Sequence, residues 1–246
     1  MLDWLLSPID VTRPHEIGLA LSWHARLMVL SWGMLTPVAV LAARFYKIAP
    51  GQKWPAELDN RMWWKIHAIG QSVSFVIACV ALGLIWISSQ NLGLAFLHLV
   101  MGYMVMGFGI LQVLSGTLRG TKGGPTSPNL DGSLRGDHYD MTPQRLVFEW
   151  VHKTVGYVVV CLIILSLQTG LWAANAPLWM WIGISGWWLL LIIIGIWFQR
   201  AGRAYDTYQA IWGPDPEHPG NTMAKQGIGV VRPSECPRFK TQKKDG

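Results

Sequence analysis

Residues 95–112 read AFLHLVMGYMVMGFGILQ, and residues 148–165 read FEWVHKTVGYVVVCLIIL. Each stretch is apolar and opens with a histidine, His98 or His152, followed by glycine at i+4 (Gly102, Gly156) and tyrosine at i+5. Residues i and i+4 share one face of a helix. A histidine at membrane depth is costly and marks a functional site more often than a packing role. Two further apolar stretches carry one near their starts: LSWHARLMVLSWGMLTPVAVLAARF (21–45) with His24, and WWKIHAIGQS (63–72) with His67 and, at i+3, Gly70.

The rest of the chain sets the frame. It has 246 residues, 51% of them hydrophobic, 14% charged, and 15 tryptophans. That is a membrane composition. Apolar stretches of spanning length, about 20 residues or more, run 17–43, 63–88, 93–114, 148–173 and 178–198. The expected fold is all-α, an integral membrane helical bundle. It divides into an interfacial segment at 1–16, a four-helix core at 17–173, a fifth transmembrane helix at 174–198, and a basic cytoplasmic tail at 199–246. Residues 1–16 lack the basic start and short apolar run of a cleavable signal peptide, so the first span is expected to persist in the mature protein. Trp4, Leu5 and Leu6 read as interfacial anchors. Trp63, Trp64, Trp150, Trp172, Trp179 and Trp181 sit near span ends, as an aromatic belt does.

Charge sets the orientation. Of the 20 lysines and arginines, only Arg13 and Arg26 lie towards the amino-terminal side of the first span; the others fall in 44–65, 119–153 or after 199. With alternating helices these basic regions share one side, which the positive-inside rule makes cytoplasmic. The amino terminus is then outside and the carboxyl terminus inside. The net charge of +6 follows from this bias, so no nucleic-acid partner is called for. The lipid bilayer is the expected surrounding. The tail reads as a solvated extension along anionic lipid. Residues 119–146 have loop composition, and DMTPQR places Pro143 at the first position of the fourth long helix.

Antiparallel alternation pairs the histidines by depth. At 1.5 Å per residue, His24 and His98 lie about 10 and 8 Å below the outer edge, and His67 and His152 each about 6 Å from the inner edge. In a hydrocarbon layer about 30 Å thick the two levels are about 15–20 Å apart. Two facing pairs at two levels are what two stacked haems with bis-histidine ligation require. The four histidines are then the metal ligands, and Gly102, Gly156 and Gly70 leave room for a macrocycle. Arg26 is a candidate partner for a haem propionate. Lys65, Lys153 and Arg145 read as positive-inside anchors. His15, His138 and His218 lie in polar segments and read as exposed. Cys79, Cys161 and Cys236 are isolated, the first two as small apolar fillers. Without C-x-x-C-H any haem is non-covalent. A proton or metal pathway would recruit intramembrane carboxylates, and the spans offer only Glu149, at an inner edge. A purely structural anchor, with histidines that only pack helices, is the competing class.

The four histidine-bearing stretches, with Gln112 late in the third, resemble the core of the cytochrome b561 family over about residues 20–172. The closest likeness is the branch that joins this core to a DOMON domain. The resemblance implies a transmembrane oxidoreductase with two b haems, one held by His24 and His98, the other by His67 and His152. The chain is expected to be a bacterial, inner-membrane form without a DOMON domain. The lysine- and arginine-bearing ascorbate signature of animal and plant members is not found. A quinone-linked role, or one tied to a periplasmic or membrane redox partner subunit, is therefore expected, with an ascorbate- or ferric-type transmembrane reductase as the alternative.

Overall fold

The computed structural model describes residues 2–87, 95–119, 143–216 and 218–240. It is 72% helical with no sheet among the described residues. A short α1 (Leu2–Leu6) precedes a first span built of α2 (Leu19–Met28), a π-helical turn (Val29–Leu35) and α3 (Thr36–Phe45). The long helices α4 (Met62–Ile87), α5 (Phe96–Leu118), α6 (Pro143–Ala173) and α7 (Leu178–Arg200) follow. Five segments, Leu19–Phe45, Met62–Trp86, Phe96–Leu118, Arg145–Ala173 and Leu178–Arg200, are long and apolar enough to cross a membrane. Their outward faces carry Ile69, Val76, Leu111, Val158, Leu189 and Ile193, all exposed. In water such a surface would be a large liability. In a bilayer it is the solvated face.

The described residues divide into two compact units. The first comprises 1–39, 68–113 and 155–194. Its centre is the irregular middle of the first span. Thr36 N–H reaches back five residues to Ser31 O, closing the π turn. Pro37 has no N–H, so the carbonyl four residues back loses its helical donor. That carbonyl, Gly33 O, instead accepts from Trp187 Nε1 at 2.9 Å. Ser74 Oγ donates to Ser31 O at 2.8 Å and lies 2.7 Å from Thr36 Oγ1, and Gln71 Nε2 donates to Thr36 O. Backbone groups at membrane depth must be satisfied internally, and these side chains do it. At one end of the unit Asn175, at φ +48°, clamps the amino-terminal segment. Its amide donates to Asp10 O and Arg13 O and accepts from Asp10 N–H. Cys79 and Cys161, expected as small apolar fillers within their spans, lie exposed on their helices.

The second unit comprises 40–67, 114–154 and 195–246. Here the expectation of a solvated tail is corrected. Ile48 and Trp54 pack with Tyr205, Ala210 and Phe239 in one apolar cluster. Asp206 caps α8 (Thr207–Trp212) by accepting Gln209 N–H at 3.0 Å. Gly213, at φ +92°, ends it, and Leu58 Cδ1 would lie 3.3 Å from a Cβ there. Polar latches complete the lobe. Arg44 donates to Gln199 Oε1 at 2.7 Å and Ile228 O at 2.8 Å, and Lys47 to Tyr205 O at 2.8 Å. The tail is folded because its scattered apolar residues find a partner surface in 45–58. His218 is corrected with it: only 4% exposed, it stacks on Trp212 at 4.8 Å and accepts Gly220 N–H at Nδ1.

Candidate functional site: two facing histidine pairs

Within the first unit, His24 from α2 faces His98 from α5, with ring centroids 6.1 Å apart and planes at 86°. Within the second, His67 from α4 faces His152 from α6, at 6.0 Å and 80°. The pairs are those expected from depth. His24 Nδ1 lies 2.9 Å from Ala81 O, and His98 Nδ1 lies 2.9 Å from Ser166 O. His152 Nδ1 lies 3.1 Å from Ser115 Oγ. A carbonyl only accepts, so at His24 and His98 Nδ1 is the donor, and in the neutral imidazole Nε2 keeps its lone pair. Fixing the tautomer through the far nitrogen is how proteins prepare a histidine for a metal.

The glycines split into two kinds. A Cβ on Gly102 would meet nothing within 4 Å, and one on Gly156 would meet only Gln112 Nε2, at 3.9 Å. Both leave open space one turn from a histidine. Gly70 differs: its Cβ would lie 3.0 Å from Ala39 Cβ, so a neighbouring span closes on it. Gly170, which the sequence did not single out, is tighter still than Gly70. A Cβ there would lie 2.9 Å from His98 Cε1 and 3.0 Å from Nδ1. With Ser166 one turn before it, Gly170 makes α6 the seat of the His98 ring. Arg26 is exposed and lies over the Trp23 ring, 5.5 Å from its centroid.

The second pair stands among charges. Arg145 and Glu149 are each 4% exposed, and Glu149 pairs with Arg145 at 3.7 Å and Lys153 at 3.1 Å. Lys153 also donates to Gln226 O of the folded tail at 3.0 Å. Arg145 and the partly exposed Lys153 are thus tied by Glu149 into an ion-pair ladder on α6. Of the polar-segment histidines, His15 is exposed and contacts Ala174 O; His138 lies outside the described residues.

Comparison with known proteins finds several relatives. A cytochrome b561 and DOMON domain-containing protein of Arabidopsis thaliana is 30% identical over 174 residues, 69% of this chain and 32% of the relative. The putative ferric-chelate reductase 1 of Danio rerio is 23% identical over 169 residues, 68% of this chain and 26% of the relative. Ferric-chelate reductase 1 of Mus musculus is 25% identical over 149 residues, 60% of this chain and 22% of the relative. The homologues of this chain thus include cytochrome b561 domain-containing proteins. The chain spans a third or less of each relative's length. No family model matches it, and no solved structure does.

The cytochrome relatives imply haem binding. Such a group would be held by His24 with His98 and by His67 with His152, whose rings face each other 6.1 and 6.0 Å apart. The open faces at Gly102 and Gly156 suit a flat macrocycle beside each pair. Among the described residues no cluster of three or more His, Cys, Asp or Glu could hold a bare metal ion, whereas each facing histidine pair could hold a haem.

Proposed function

We propose that this chain is a cytochrome b561-type protein that carries electrons across a membrane through two non-covalent b haems. His24 and His98 ligate one, and His67 and His152 the other. The observation that supports the reading is that four histidines of the apolar helices face each other in two pairs, 6.1 and 6.0 Å apart. The haem supplies reversible one-electron chemistry, its potential set by axial ligands, neighbouring hydrogen bonds and burial. The protein's part is to hold the rings. Ala81 O and Ser166 O take the Nδ1 protons of the first pair, leaving both Nε2 atoms to the iron. The apolar spans exclude water from the ligated faces.

The basic bias puts the first pair towards the outside and the second towards the cytoplasm of a bacterial inner membrane. The charged second-pair surroundings and the lobe around them suit a quinone or another small donor, or a partner subunit, at that end. Relatives named as ferric-chelate reductases support a second reading, in which the terminal acceptor is a ferric complex. A pyridine haemochrome assay on the purified, haem-replete chain should give two b haems per polypeptide, both low-spin. One haem per chain refutes the count, and a colourless preparation supports a structural anchor instead.

A further inference from the structure

Two serines stand behind two of the histidines, and they do so differently. Ser166 faces His98 with its main-chain carbonyl, at 2.9 Å, whereas Ser115 faces His152 with its hydroxyl, at 3.1 Å. The arrangement is reciprocal: α5 supplies His98 and Ser115, and α6 supplies His152 and Ser166. A carbonyl survives any substitution of its own side chain; a hydroxyl does not. We propose that Ser115 is a positioning residue that lowers the midpoint potential of the His67/His152 haem by accepting the Nδ1 proton of His152. The inference rests on the haem assignment above.

The direction follows from charge. With Nε2 on iron, the proton of a neutral imidazole sits on Nδ1, so Ser115 Oγ is the acceptor. An acceptor there raises the basicity of the ligating nitrogen. The ferric state carries one more positive charge than the ferrous state and gains more from the added donation, so the potential falls. Arg119 and Lys153 lie close enough to act on His152 electrostatically. As cations they favour the ferrous state. Glu149, 3.1 Å from Lys153, offsets part of that field, and the hydroxyl opposes the remainder.

The test is potentiometric titration of the whole purified chain, followed in the visible α-band and by EPR of the ferric haems. The two waves are assigned in His24→Ala and His67→Ala, which each retain one haem. Ser115→Ala should shift the reduction equilibrium of the second-pair haem towards ferrous by up to about tenfold, or about 59 mV for one electron. The first-pair haem should not move. Ser115→Val should repeat the shift, and the like-shaped Ser115→Thr should restore the original midpoint. Ser166→Ala should move neither wave, because the carbonyl remains. Loss of the second haem from Ser115→Val, with retention in Ser115→Thr, also supports the hydroxyl's hold on the ring. Two haems with an unmoved midpoint in Ser115→Ala and Ser115→Val, a downward shift, or equal shifts of both haems overturn the inference alone. A chain with no haem on His67 and His152 overturns the haem assignment and the inference together.

Discussion

The His24/His98 pair is held by main chain; the His67/His152 pair has side chains around it. In the first, both Nδ1 atoms face carbonyls, and Gly170 presses its backbone to within contact of the His98 ring. In the second, His152 faces a hydroxyl, and the Arg145–Glu149–Lys153 ladder and the folded tail share its unit. A site built from backbone is fixed by the path of its helices and resists drift. A site built from side chains is adjustable one substitution at a time, and charge is the adjustable quantity. The difference assigns rigid geometry to the first site and tuning to the second.

The largest effects should come from the ligands. His24→Ala and His98→Ala should each remove the same haem, and His67→Ala and His152→Ala the other, halving haem content every time. Identical spectral losses from His24→Ala and His67→Ala, measured by reduced-minus-oxidised difference spectra, would dissolve the comparison.

The glycines come next and separate protein space from cofactor space. A methyl at Gly170 would sit 2.9 Å from His98 Cε1, so Gly170→Leu should displace that ring and empty the first site. At Gly102 an added Cβ meets no protein atom within 4 Å. Haem loss in Gly102→Leu, with the helical circular dichroism unchanged, therefore reports the volume of the bound macrocycle. Gly156→Leu should do the same at the second site. Full haem content in Gly102→Leu and Gly156→Leu would assign those glycines to helix contacts alone.

The histidines were legible because four identical polar residues stood out against apolar helices, and antiparallel alternation alone pairs them by depth. Pro143 likewise announced the start of α6. The supports were harder to read. Ala81 and Ser166 act through carbonyls that every residue has, so no residue type betrays them. Ser115 did leave a signal: it lies at the opposite end of α5 from His98, which is the level of His152 by the same depth argument. Gly170 was lost among many glycines because its neighbour comes from another helix. The tail was misjudged because its core is assembled from apolar residues spaced irregularly, Tyr205, Ala210 and Phe239, against a partner surface more than a hundred residues away, at Ile48 and Trp54.

The tail gives the comparison a pH dependence. Lys47 lies just past the first span, buried, and burial first, then repulsion from Lys153, pushes its ammonium down to about 7; Asp206 and Glu149 pull the other way, and Arg44 adds to the push. Unfolded, it keeps its proton up to the ordinary lysine range. Between about pH 7 and 10 the unfolded lobe thus binds more protons than the folded one, so stability rises with pH, by at most about 1.4 kcal/mol per unit. Below about pH 7 both states are protonated and this contribution is flat. Tryptic cleavage after Lys225, measured in urea, should slow as pH rises across that window after correction for trypsin's own profile. Lys47→Met should flatten the slope. A slope unchanged in Lys47→Met would place the titrating group elsewhere.

The smallest effect should fall on the first unit and spare both haems. Trp187 Nε1 donates to Gly33 O, the carbonyl that Pro37 leaves without a helical donor. Trp187→Phe keeps most of the ring's packing and removes the N–H. The cost is one net hydrogen bond plus an unsatisfied acceptor at membrane depth, roughly 1–2 kcal/mol. It should appear as a lower midpoint for thermal haem release in detergent, with both redox midpoints unchanged. Pro37→Ala restores an N–H that can close on Gly33 O, so in that background the same tryptophan replacement should cost less. A double-mutant cycle measures the difference directly. Equal costs in the two backgrounds would show that Trp187 serves by packing alone. A shift in either haem midpoint would show that the irregular turn of the first span is coupled to the histidines, and that the backbone-built site is less rigid than its carbonyl contacts imply.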